Sequence, residues 1–277
     1  MKSINSVLFA VICSILMSGC GQNGGKQAHP SYSETYTKDA GVIRLVQYNV
    51  GAFSKEIDNS IPMIAAMMKE IGADVVSVNE VDSCNTRHTN YQLADFADEM
   101  GGWNYRFSRA MPYRGGAYGI GVTVPDEILG SFTINLPQGD GSEPRACCVV
   151  ETKEYVFAST HLDYRSEPAM LEQAALINRV MKEKYCSARK PVFLSGDMNS
   201  TPESAVLTEL SKEWDVLSCT NPTISAKNPR KCIDFILALK NGAKYEVKGS
   251  EVMTEFKDGD VVVASDHLPV YVDVVLK

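Results

Sequence analysis

The sequence predicts an α/β (α+β) protein in which packed mixed β-sheets carry helices on their outer surfaces. Three observations lead there. Short apolar, β-branched runs recur and stop at polar groups; five strand-like runs follow one another between residues 103 and 160; and segments of helical period interrupt the strands at only a few points.

In chain order, Val42 to Val50 reads as a buried strand finishing in Gln47-Tyr48-Asn49. Ile61 to Ile71 has apolar residues at helical spacing and stops at Gly72. Asp74 to Val78 is the next strand and leads into Asn79-Glu80. Trp103–Arg109, Tyr118–Val124, Leu129–Leu136, Arg145–Thr152 and Tyr155–Thr160 then read as consecutive strands, the last entering Thr160-His161-Leu162-Asp163. Glu167 to Tyr185 is a second helix, with Leu171, Ala174, Ala175, Ile177, Val180 and Met181 as its inner stripe. Pro191 to Leu194 is a strand ending in Ser195-Gly196-Asp197-Met198-Asn199. Val261 to Val263 reads as a strand leading to Ser265-Asp266-His267, and Pro269 to Leu276 as the final one.

Each strand end carries a group able to bind a cation or move a proton, and ligands in layered α/β folds sit where such ends converge. If the chain stayed extended, Asp197 and Asn199 would project to the same side and form an oxygen-rich pair for a hard cation, a water or a phosphoryl oxygen. The competing reading of Asp-x-Asn is a turn in which both side chains cap the backbone.

At 277 residues, with no internal repeat or low-complexity block, the chain suits one large domain. Lys2, the apolar segment Val7 to Met17 and Ser18-Gly19-Cys20 have the form of an export signal and resemble a bacterial lipoprotein signal. That resemblance implies a signal over 1–19, a lipidated Cys20, a flexible tether over 20–40 and a catalytic domain over 41–277. It places the protein outside the cytoplasm, anchored at the periplasmic face or the cell surface. The competing reading is an ordinary signal peptide with an incidental cysteine.

Export permits disulfides, but six remaining cysteines in a large domain make no disulfide scaffold, and no Cys-x-x-Cys zinc spacing is present. Cys219 and Cys232 flank a loop and are candidates to face each other across neighbouring strands. Cys147 and Cys148, adjacent on a strand, should point to opposite faces, one buried and one exposed. Of four histidines, His29 falls in the tether and His88 in a loop, and neither is assigned a role.

A wider order emerges from Asn49, Glu80, Tyr118 in Gly115-Gly116-Ala117-Tyr118-Gly119, Arg145 in Glu143-Pro144-Arg145, and Thr160-His161-Leu162-Asp163. Gly196-Asp197-Met198-Asn199, Ile233-Asp234-Phe235-Ile236 and Ser265-Asp266-His267 complete it. From Val42 onward the chain resembles the endonuclease/exonuclease/phosphatase superfamily, the deoxyribonuclease I-like fold. The resemblance implies a four-layer sandwich, two mixed β-sheets face to face with helices on the outer faces.

It also implies roles. Glu80 would be the principal ligand of a divalent cation, Mg²⁺ in the first place with Mn²⁺ or Ca²⁺ as alternatives, helped by Asn49 and Asp266. Asn49, Arg145 and Asn199 would bind the phosphate. His267 would be the general base or the cation that stabilises the transition state, oriented by Asp234, while Asp197 could instead activate the water. His161 would donate to a phosphoryl or leaving-group oxygen, with Tyr118 beside it.

The implied activity is hydrolysis of a phosphate ester by in-line attack of water. A net charge of −7 and the lack of a Lys/Arg cluster interleaved with aromatics weigh against a nucleic-acid track. A sugar, polyol or lipid-headgroup phosphate is thus the first expectation, a surface-anchored nuclease the second, and a non-catalytic binding protein on the same fold the third. Arg109, Arg114 and Arg165 lie near the expected site mouth and are candidates for specificity. No protein partner is inferred.

Overall fold

Side-chain alternation along the first strand, β1 (Ile43–Asn49), sets the plan of the molecule. Val46 and Tyr48 face outward into one apolar cluster, while Leu45 faces inward into another, and Gln47 and Asn49 share its parity. The computed structural model describes residues 35–140 and 142–277. The expected signal, Cys20, His29 and all but the end of the expected tether lie outside the described residues.

After β1 come α1 (Ile61–Glu70), β2 (Val75–Ser83), α2 (Gln92–Glu99), β3 (Asn104–Tyr113), β4 (Gly116–Val124), β5 (Gly130–Leu136) and β6 (Arg145–Glu151). They are followed by β7 (Val156–His161), α3 (Glu167–Tyr185), β8 (Val192–Asp197), α4 (Ala205–Leu210) and β9 (Trp214–Val216). The chain closes with β10 (Asp234–Leu239), β11 (Tyr245–Val252), α5 (Val261–Ala264) and β12 (Val270–Leu276). Two six-stranded sheets result, ordered β11-β12-β1-β2-β4-β3 and β5-β6-β7-β8-β10-β9. Among the described residues only β1/β2 and β7/β8 pair in parallel. A parallel neighbour needs a crossover, and α1 and α3, the two helices legible in the sequence, supply the two crossovers.

Three apolar layers hold the sandwich. Leu45, Val75, Val122, Phe157, Phe193, Ile236 and Val272 fill the space between the sheets. Val46, Tyr48 and Val78 pack under α1 and α2. Val149, Leu194 and Leu237 pack under α3 and α4. The two sheets thus lie face to face with helices outside, as the sequence resemblance implied.

Inward-facing positions change character along each strand. In β1 they run Leu45, Gln47, Asn49; in β2 Val75, Ser77, Asn79; in β7 Phe157, Ser159, His161; in β8 Phe193, Ser195, Asp197. The antiparallel β10 reverses the order, from Asp234 to Ile236 and Ala238. One end of the intersheet layer is therefore apolar and the other polar, and a period-2 reading of five strands brings the functional groups to one place.

Local chemistry explains the departures from expectation. Val261 to Val263 is not a strand: Asp260 accepts a hydrogen bond from Val262 N–H, and this N-cap opens a single helical turn, α5. The packed domain starts before residue 41, because Tyr36 is buried and Arg44 Nη1 donates to its carbonyl at 2.7 Å. Cys147 and Cys148 do point to opposite faces, but both are buried, since β6 is interior to a sheet covered on both sides. Cys219 and Cys232 are free thiols, so the expected pairing is not formed. No helix among the described residues is long and apolar enough to cross a membrane.

Ser166 caps α3 by accepting from Ala169 N–H at 3.3 Å. Ser166→Ala is expected to lower stability by about 1 kcal/mol in denaturant titration, with activity unchanged.

Candidate active site

At the polar end of the intersheet layer, Oδ2 of Asp197 is the point of convergence. It accepts from Asn49 Nδ2 at 3.1 Å. It also lies 3.5 Å from His161 Nε2 and 3.6 Å from His267 Nε2. Asp197, Asp234, His161 and His267 are all buried.

Backbone geometry aims this carboxylate. β8 passes so close to β7 that a Cβ on Gly196 would stand 2.1 Å from the Thr160 carbonyl oxygen, so only glycine fits before Asp197. Asn79 Oδ1 accepts from the Asp197 amide at 2.9 Å, and the same oxygen accepts from Gln47 Nε2 at 2.7 Å. Gln47 Nε2 also donates to Asp234 Oδ1, and Ser195 Oγ donates to Gln47 Oε1. Ser77 and Ser159 hydroxyls meet at 2.7 Å. Gln47, Asn79, Ser77, Ser159 and Ser195 thus link the two sheets beneath the site. None was given a role from the sequence: Gln47, Asn79 and Ser195 were read only as parts of strand ends, and Ser77 and Ser159 sit inside strand runs; their shared parity with Asn49, His161 and Asp197 was the available signal.

His267 Nδ1 lies 2.9 Å from Asp234 Oδ2, which also accepts from Thr223 Oγ1 at 2.6 Å. Burial acts to lower the His267 pKa, but the charge and hydrogen bond of Asp234, with the charges of Asp197 and Asp266, lift it to about 10. Its ring is therefore an imidazolium at neutral pH. Burial first, and then the charge of Asp234, push Asp197 up to about 7, against the pull of His267, Asn199 and Asn49. His161 is held well below the ordinary histidine value by burial and by the charges of Arg145 and His267. Arg145 Nη1 lies 3.4 Å from His161 Nδ1. A guanidinium can only donate, so Nδ1 accepts and the proton of this neutral ring sits on Nε2, facing Asp197.

Arg145 is nearly inaccessible and also lies 3.4 Å from Glu143, while its Nε has no partner. It stands behind His161 rather than open to a ligand. Asn199 departs from the expected parity with Asp197. The strand ends at Asp197, Asn199 takes φ +49°, its amide donates to Asp197 Oδ1 at 2.9 Å, and its Nδ2 donates to the Leu162 carbonyl. The turn reading of Asp-x-Asn is the correct one for Asn199, and Asp197 is both a turn acceptor and the centre of the site.

Glu80 sits at a bulge. Asn79 pairs with Ile120 and Val81 with Gly119, leaving Glu80 unpaired at φ +60°. A non-glycine residue held there is strained, as functional side chains often are. Its Oε1 accepts from Asn49 Nδ2 at 3.1 Å. Asn49 Oδ1 accepts from Gly51 N–H, so Asn49 offers Glu80 its nitrogen, and the expected metal-binding oxygen is already engaged. Asp266 pairs with Lys55 at 3.0 Å. Burial opposes the Lys55 charge, but Asp266 and then Glu80 raise its pKa, so the ammonium lies in the field of both carboxylates. Lys55 is absent from every motif and was not identified from the sequence.

Two donor sets are thus available to a cation. The ligand atoms of Asp197, Asp234 and His267 lie within 4.8 Å of one another. The hydrogen bonds inside that group assign it to proton chemistry, because the Asp234 oxygen and His267 Nδ1 already satisfy each other. Glu80 and Asp266, carboxylates at the solvent edge, fit a hard cation that keeps most of its waters.

Tyr118 lies opposite Asp82 on β4, and burial and the nearby charge of Glu80 raise its pKa well above the usual value, keeping the phenol neutral. His88, given no role from the sequence, joins Arg87 in holding buried Asp82, at 2.6 Å each. Arg109 is exposed on β3, and Arg165 Nε donates to the exposed Tyr164 hydroxyl. A cleft of about 720 Å³ lined by Lys38, Asp74, Asp126 and Arg189 opens at the opposite end of the strands and contains none of these groups.

The Endonuclease/Exonuclease/phosphatase family pattern matches residues 46–267. The chain belongs to this family. Family members include nucleases and phosphatases and are generally metal-dependent. Among solved structures, the family protein from Bacteroides vulgatus is 19% identical, with a TM-score of 0.68 over 85% of this chain and 99% of that one. The Bacteroides thetaiotaomicron VPI-5482 mannosyl-6-phosphatase is 21% identical, with a TM-score of 0.68 over 84% of this chain and 100% of that one. The human Nocturnin catalytic domain is 16% identical, with a TM-score of 0.65 over 85% of this chain and 95% of that one. These likenesses establish the fold. No curated protein is similar to the chain in sequence.

Proposed function

We infer that the protein is a Mg²⁺-dependent phosphoesterase that hydrolyses the phosphate ester of a small molecule such as a phosphorylated sugar, polyol or lipid headgroup. The observation that carries this reading is the convergence of two imidazole Nε2 atoms and one amide on a single buried carboxylate oxygen. The mannosyl-6-phosphatase among the structural neighbours supports it.

In this reading Asp197 takes a proton from water as the water oxygen bonds to phosphorus. The ester oxygen leaves on the opposite side, towards the open rim. His267, protonated and oriented by Asp234, places Nε2–H against the phosphoryl oxygens, and His161 Nε2–H and Asn49 Nδ2 add neutral donors. Arg145 fixes the His161 tautomer from behind. Glu80 and Asp266 would hold the Mg²⁺, which when bound neutralises phosphoryl charge as a Lewis acid. Lys55 must then release Asp266. This reading gives the general-base role to Asp197, the cationic role to His267 and the metal to Glu80.

Purified protein assayed with a sugar phosphate, a phosphodiester, a phospholipid and plasmid DNA is expected to release phosphate from the small ester in Mg²⁺ and to stop in chelator. Chelator-sensitive cleavage of DNA in preference to small esters would replace this reading with that of a nuclease; silence on every substrate would favour a binding protein.

A further inference from the structure

We propose that the β3–β4 hairpin tip, Tyr113-Arg114-Gly115-Gly116, forms a second anion subsite, and that the substrate's leaving group therefore carries a negative charge of its own. This rests on the phosphoesterase reading for the first phosphate but stands on separate residues.

The tip is a two-residue turn in which Arg114 has φ +45° and Gly115 φ +86°. Such turns favour glycine or asparagine, because a side chain with a Cβ is strained at positive φ. An arginine is thus kept where it works against the turn. Its guanidinium stacks on the Tyr113 ring at 5.4 Å, and Arg87 stacks on the same ring at 4.8 Å. Arg87 is itself locked by the buried Asp82 carboxylate at 2.6 and 2.9 Å, so one of the two cations on this ring is fixed in place. Arg87 is neutralised by Asp82. Arg114 is exposed, and among the described residues no carboxylate lies within ion-pair distance of it. The result is an uncompensated cation braced on an aromatic platform.

The platform belongs to the active-site end. Tyr113 lies 6.0 Å from Tyr118, which sits in the fields of Glu80 and Arg145. Ser83 pairs with Ala117, so the tip stands three to four residues beyond Glu80, roughly 10 Å along the strand. A Cβ at Gly116 would lie 2.3 Å from the Cys84 carbonyl oxygen, and Thr86 N–H donates to the Arg114 carbonyl, which seats the turn against the segment after Glu80. The tip therefore stands beyond Glu80 at the same end of the sandwich, where a second anion on the substrate can reach it.

Fructose 1,6-bisphosphate and fructose 6-phosphate share a ring and differ by one distal anion. The wild-type protein is expected to favour the bisphosphate by about 10- to 100-fold in kcat/KM with Mg²⁺, the worth of a charge-assisted hydrogen bond. R114N, which suits the turn, should erase that preference through the bisphosphate alone, leaving fructose 6-phosphate turnover and thermal stability no lower than in the wild type. Calorimetric binding of both sugars in chelator, where no turnover occurs, reads the same ratio independently of hydrolysis. If neither sugar is hydrolysed but the binding preference exists and disappears in R114N, the subsite stands and the sugar-phosphate form of the catalytic reading fails. A binding preference that is absent in the wild type, or unchanged in R114N, overturns the subsite.

Discussion

Asp197→Asn is expected to lower kcat/KM by about 10³- to 10⁴-fold while leaving the fold intact, as read by near-ultraviolet circular dichroism and thermal melting. The size follows from the loss of proton acceptance at the position where His161, His267 and Asn49 converge. The fold should tolerate the change because the buried carboxylate is itself unfavourable when charged. Its folded pKa of about 7 lies above the ordinary 3.8, so its contribution to stability is full below about pH 3.8 and is lost as pH rises to about 7. The variant should lose less stability than the wild type across that window.

His267→Gln should have an effect of similar size for a different reason, the removal of the one buried cation at the phosphoryl position. Its folded pKa of about 10 lies above the ordinary 6.5, so the paired imidazolium stabilises the protein fully below about pH 6.5, and this stabilisation is lost as pH rises through about 10. The proposed mechanism requires Asp197 ionised and His267 protonated. The wild-type kcat/KM should therefore rise through about pH 7 and fall through about pH 10, and His267→Gln should lose the alkaline fall. Asp234→Asn, which withdraws the charge from His267 Nδ1, should move that fall to lower pH.

The fold was legible wherever the signal was local. Runs of β-branched residues and the long amphipathic α3 translate directly into elements, and α3 begins where Ser166 provides its cap. Val261 to Val263 misled because three valines argue for a strand until the capping carboxylate of Asp260 is considered. The site residues were legible as strand ends, yet their division of labour was not. Whether Asn49 presents oxygen or nitrogen depends on Gly51 N–H, and whether Asn199 accompanies Asp197 depends on a left-handed backbone that alternation does not foresee. Lys55 and Arg114 carry no motif at all. Lys55 acquires meaning only from its pairing with Asp266, whereas Arg114, a specificity candidate from its place near the expected site mouth, is set apart from Arg109 and Arg165 by the ring on which it rests.

The proposed proton-accepting role of Asp197 is the centre of the proposed mechanism, and the pH dependence of kcat/KM in wild type and Asp197→Asn tests it most directly. With Mg²⁺ saturating and a small phosphate ester as substrate, the wild type should show an acid limb near pH 7, and the residual activity of Asp197→Asn should be flat there while keeping an alkaline fall, moved below pH 10 because the Asp197 charge no longer supports the His267 imidazolium. An acid limb that persists unchanged in Asp197→Asn would contradict the account and assign the base to another group.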